Sequence, residues 1–177
     1  GGGGGLRGVG RRAGAQPYQT PPGPPIRATR GPLPAMSTPT TVSKPPMTLQ
    51  LTWDGDLVFT GTTGDLSMTL DGRAQRAPSP MHAVAFGLAG CMAIDVANIL
   101  TRGRHPFTAI EARLDAHRAD AQPPRFTRMD LHYVVKGAVP REAVERAIAL
   151  SREKYCSVWH SLRQDIELNT SFDVVTG

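Results

Sequence analysis

Ser79–Gly103 reads SPMHAVAFGLAGCMAIDVANILTRG, and how that stretch folds decides the rest. Ser79 suits a helix N-cap, where its hydroxyl accepts from the first free backbone N–H groups. Pro80 suits the first helical position, which needs no N–H. Gly103 follows the cation Arg102 and is the expected stop. Between these signals the residues are apolar on nearly every side, the mark of a membrane span or of the buried axis of a domain. Ala, Gly and Cys crowd the middle, and Asp95 and Asn98 sit inside it. The sequence therefore predicts a long central buried helix with Cys91 at its middle, and no membrane span.

Working outward, the 177 residues divide by composition. Residues 1–46 hold ten of the 19 glycines, ten of the 16 prolines and six of the 20 Lys and Arg, with none of the 15 Asp and Glu. They have almost no large apolar side chains, which predicts a disordered tail that is no part of the fold. The formal charge of +5 belongs to that tail. Met47–Gly177 is close to neutral, with 14 basic against 15 acidic residues and no basic run, which argues against a nucleic-acid partner. No stretch has the form of a secretory signal, and two cysteines do not make a disulfide scaffold. A cytoplasmic, reduced-thiol setting is expected.

The folded part is expected to span residues 47–177. Leu49, Leu51 and Trp53 alternate with polar residues, and Asp54-Gly55 marks a hairpin. Leu57–Thr60 and Leu66–Leu70 continue a small antiparallel meander. Beyond the helix, Ile110, Ala112, Leu114 and Ala116 alternate with charged residues, and Met129, Leu131, Tyr133 and Val135 define the partner strand. Pro140 opens a second helix with Val144, Ala147 and Ile148 inward. A break or a fresh helical turn is expected at Tyr155–Val158, and Ile166, Leu168, Thr170, Phe172 and Val174 make a last strand. The order β-β-β-α-β-β-α-β is an α+β fold. The apolar outer face of its central helix needs a cover, and a second subunit is the simplest one.

Two thiols, Cys91 and Cys156, are the reactive groups on offer. A single buried cysteine usually packs as a small hydrophobe. Two that approach to a Cα separation of about 4.4–6.8 Å can cycle through a sulfenic acid and a disulfide. That cycle needs a thiolate. Cys91 stands about 18 Å along its helix, beyond the reach of the dipole, and Asp95, one turn on, opposes ionisation. A cation from elsewhere is required, with Arg73, Arg76 and His82 as candidates, although His82 lies half a turn round the helix from the thiol. His117 and His132 fall on the polar faces of adjacent strands. There is no HExxH, no CxxC and no pair of His at i, i+4, so no metal site is expected. Phosphate-binding loops and an acyl-transfer triad are likewise missing, and no cofactor is called for.

SPMHAVAFGLAGCMAIDVANIL, with EKYCSV at Glu153–Val158, resembles the OsmC/Ohr family of small thiol-redox proteins, and within it the YhfA-like branch. The likeness covers Met47 to about Val175. It implies an OsmC-like intertwined homodimer with two central helices side by side and two sites at the interface. It also implies a peroxide substrate and an external dithiol reductant, with Cys91 attacking the peroxide and Cys156 resolving. Peroxidase members add an Arg from the amino-terminal strands and a Glu directly after the helix-opening Pro. Here Met81 follows Pro80, and Met47–Leu70 contains no Arg. The expected function is thiol-dependent reduction of organic or hydrogen peroxides. The alternatives are a non-enzymatic dimer that senses redox state or binds small apolar ligands, and a dimer whose thiols only pack.

Overall fold

Strand periodicity opens the structure, a computed structural model that describes Gly1 and residues 44–176. The expected tail falls largely on residues 2–43, which lie outside the described residues. Strands β1 (Gln50–Gly55), β2 (Val58–Thr63) and β3 (Leu66–Asp71) form an antiparallel sheet in that order. The Asp54-Gly55 signal becomes the first hairpin, with Gly55 at φ +104 and Asp56 at φ +53, a region glycine enters without steric cost. Asp71 ends the sheet nearly buried, its carboxylate accepting from the backbone N–H groups of Arg73, Gln75 and Arg76 at 2.8–3.0 Å. Those bonds hold its pKa below the ordinary value and shape the loop that leads into the central helix.

Helix α1 spans Pro80–Arg102. Ser79 caps it, accepting from the His82 N–H at 3.3 Å, while the His82 ring accepts from the Ser79 N–H at 3.2 Å. The pair forms a reciprocal capping box with His in the position usually held by Glu or Gln. The helix ends as expected, but Gly103 is not the left-handed residue. It sits at φ −72, and Arg104 takes φ +57. A Cβ at 103 would stand 2.7 Å from the His105 ring, which would have to shift to admit it.

The second sheet runs β4 (Phe107–Arg118), β5 (Phe126–Gly137) and β6 (Glu167–Val175), with β4/β5 antiparallel and β5/β6 parallel. A parallel return needs a crossover. Helix α2 (Arg141–Leu150), a π-helical turn (Ser151–Tyr155) and the short helix α3 (Ser157–Ser161) supply it. The element order is the expected one, with the break at Tyr155–Val158 resolved into that turn and helix. Met129, Leu131, Tyr133 and Val135 point inward from β5, and Val144, Ala147 and Ile148 from α2. His117 and His132 make cross-strand contacts, His132 to Ser171 at 2.9 Å and His117 to Arg128 at 3.0 Å.

Helix α1 packs on this layer through Leu88, Met92, Val96 and Leu100, a stripe at every fourth residue and fully buried. Burying each such side chain is worth about 1.5–3 kcal/mol. The opposite face differs from a buried axis, since Phe86 and Ile94 are each 68% exposed in the single chain. By length and hydropathy α1 would qualify as a membrane span. Its place between β4, α2 and α3 is that of a core helix.

Candidate active site

The π-helical turn is what brings the distant thiols together. An extra residue in the turn lets the Cys156 N–H reach back five positions to the Ser151 carbonyl at 2.8 Å. Cys156 then leaves helical geometry (φ −69, ψ 93) and becomes the cap of α3, with its Sγ accepting from the Trp159 N–H at 3.3 Å. The side chain of Cys156 is fully buried and faces the half-buried Cys91 at the middle of α1. The two sulfurs and a carboxylate oxygen of Asp95 all lie within 4.8 Å of one another. Both cysteines are reduced thiols.

Two further side chains complete the surroundings. Ser151, fully buried, donates from Oγ to Asp95 Oδ2 at 2.8 Å and ties the carboxylate to the turn. Tyr133 on β5 is also fully buried, and its hydroxyl has no hydrogen-bond partner among the described residues. Burial first, then the charges of Cys156 and Asp95, push its pKa upward. A cleft of about 260 Å³ reaches Asp95 from outside between α1 and the π-helical turn, with Arg102 and Tyr155 among its walls.

The electrostatics favour a neutral Cys156. Burial pushes the Cys156 thiol up to about 11, helped by Cys91 and Asp95 and partly offset by the Trp159 N–H. The expected cation is not among the groups gathered at the sulfurs. Arg73 pairs with Asp56 at 3.0 Å and Arg76 approaches the same carboxylate at 3.8 Å, while His82 serves the helix cap. Of the residues singled out in the sequence, the fold thus unites Cys91, Cys156 and Asp95. Ser151 and Tyr133 gave no sequence signal beyond a small polar residue before a cysteine and an inward position on a strand.

Known proteins share this arrangement of elements. The family model described as OsmC-like protein matches residues 71–171. Protein YhfA of Escherichia coli (strain K12) is 37% identical over 132 residues, which span 73% of this chain and 98% of YhfA. A crystal structure of a hypothetical protein from Aquifex aeolicus VF5 is 25% identical with a TM-score of 0.71, covering 76% of this chain and 99% of that one. An organic hydroperoxide resistance protein OsmC from Legionella pneumophila shares the fold at 15% identity, with a TM-score of 0.57 over 73% of this chain and 97% of that one.

Proposed function

The chain belongs to the OsmC-like protein family, and on that premise we propose that it reduces organic or hydrogen peroxides with its own two thiols. The observation that carries this reading is the approach of Cys91 Sγ and Cys156 Sγ to within 4.8 Å. Cys91, the more exposed of the two, loses its proton and attacks one peroxide oxygen. The O–O bond breaks, the alcohol or water leaves with a proton, and Cys91 becomes a sulfenic acid. Cys156 then displaces the sulfenic oxygen as water, forming the disulfide. An external dithiol returns both thiols and is itself oxidised. In this reading the working unit is a cytoplasmic homodimer, whose second copy covers Phe86 and Ile94 on α1.

The test is peroxide consumption with dithiothreitol or a lipoyl dithiol, measured on wild type and Cys91→Ser. Turnover is expected from the wild type alone, and equal rates would remove the proposal. The reading places the domain at residues 47–177 and gives residues 1–46 no part in it. A chain beginning at Met47 is therefore expected to melt and turn over as the full chain does; a lower Tm would contradict this.

One observation favours a second reading. Burial pushes the Cys156 thiol up to about 11, and Asp95 lies beside the two thiols. A non-enzymatic redox sensor needs only slow, reversible disulfide formation. Stoichiometric oxidation by peroxide without multiple turnovers in excess dithiol would select it.

A further inference from the structure

Cys91, Asp95 and Cys156 present two sulfurs and one carboxylate oxygen within a 4.8 Å sphere of mutual distances. No linear metal motif brings them together, since they stand on α1 and at the cap of α3. A tetrahedral zinc with Zn–S bonds of about 2.3 Å holds two sulfurs about 3.8 Å apart, so bringing the two sulfurs to that spacing requires at most about 1 Å of movement. We infer that Cys91, Asp95 and Cys156 are the ligands of a site for one thiophilic divalent cation, zinc foremost.

Two independent features of the site point the same way. The buried Ser151 hydroxyl donates to Asp95 Oδ2 at 2.8 Å, which orients the carboxylate as an outer-shell partner does. The Tyr133 hydroxyl is buried, has no hydrogen-bond partner among the described residues, and feels the charges of Cys156 and Asp95. Buried polar groups are rarely left so. A thiolate or a water held by the ion gives it an acceptor. Softness selects the metal: two sulfurs exclude Mg²⁺ and Ca²⁺, while the carboxylate suits zinc. Binding removes one proton from each thiol, so one Zn²⁺ enters and two H⁺ leave. The cleft lined by Asp95, Asn98, Arg102 and Tyr155 is the entry path. An occupied site cannot form the disulfide, so the ion and the oxidant compete for the same sulfurs. The inference does not depend on peroxide turnover.

Untagged, reduced, metal-free protein is titrated anaerobically with Co²⁺ alone, and zinc affinity is then read by competition with a chromophoric chelator. The expected result is a thiolate-to-cobalt charge-transfer band that saturates at one ion per chain and is abolished by Zn²⁺. Cys91→Ser and Cys156→Ser are expected to weaken zinc by at least about 100-fold, and Asp95→Asn and Ser151→Ala by about 10-fold. A wild-type protein with no such band, or a zinc affinity unchanged in Cys91→Ser, overturns the inference. X-ray absorption of the zinc-loaded wild type keeps the test independent of how the variants fold. Two sulfur neighbours at about 2.3 Å are expected, and a shell of nitrogen and oxygen alone overturns it.

Discussion

The two sheets of this protein are both three-stranded and both carry one apolar face, yet they bury that face in opposite ways. In β4–β6 the inward residues meet α1 and α2 of the same chain, and Met129, Leu131, Tyr133 and Val135 are buried. In β1–β3 the large apolar residues stay open, with Leu51 at 59%, Trp53 at 63% and Leu66 at 72% exposure. Leu51, Met68 and their neighbours even line an apolar hollow of about 250 Å³. Apolar area on that scale is characteristic of an interface rather than of free surface. Alternation along a strand therefore identifies which face is apolar, while the origin of its cover is a matter of tertiary or quaternary partners.

Truncation separates the two sheets most sharply. Leu131→Ala deletes packing supplied wholly within the chain and is expected to cost about 2–5 kcal/mol in chemical denaturation, whatever the protein concentration. Met68→Asp alters a side chain 52% exposed in the single chain, and its effect is expected in assembly. Sedimentation should show the wild type at twice the chain mass at micromolar concentration and the variant at the single-chain mass. A wild type of single-chain mass would break the comparison, because the β1–β3 face would then be stable in water.

The next effect reports the burial of Cys156. Its thiol titrates at about 11 instead of 9.0, first because it is buried. A raised acid pKa means that folding favours the neutral form. The stabilisation is complete below pH 9 and is lost as pH rises toward 11, amounting to at most about 2–3 kcal/mol at about 1.4 kcal/mol per unit. Urea denaturation from pH 8 to 11 should show that fall in the wild type. In Cys156→Ala only the contribution of Tyr133, whose pKa is also raised, should survive, beginning near pH 10. A wild-type curve flat to pH 11 would place the sulfur in contact with water.

Most of the fold was legible because its signals are local. The Ser79-Pro80 start, the Asp54-Gly55 hairpin and the period-two runs of β5 and β6 each depend on neighbours in sequence. The site was legible in part. Cys91 and Cys156 stand out as the only thiols, and Asp95 falls on the Cys91 face of α1 by helical spacing. Their meeting, 65 positions apart, depends on a π-helical turn that no residue pattern at Ser151–Tyr155 announces. Gly103 ends α1 as expected but in right-handed geometry, and the left-handed residue is Arg104. A side chain at 103 would meet the ring of His105, two positions later.

The smallest effect tests the inside of the well-packed sheet, where one group is out of place. Among the described residues the Tyr133 hydroxyl is buried without a partner, and an orphaned polar group costs about 1–3 kcal/mol of desolvation. Tyr133→Phe removes the oxygen and keeps the ring, so the variant is expected to gain about 1 kcal/mol. In a domain of this size that corresponds to a rise in Tm of about 2–5 °C. Measuring with a chelator present keeps any ion from satisfying the hydroxyl in the wild type. With saturating Zn²⁺ the advantage of the variant should shrink or reverse, because the ion supplies the missing acceptor. A Tyr133→Phe protein less stable than wild type in chelator would mean that the hydroxyl already has a partner, and β5 would then bury a satisfied polar network instead of an orphan.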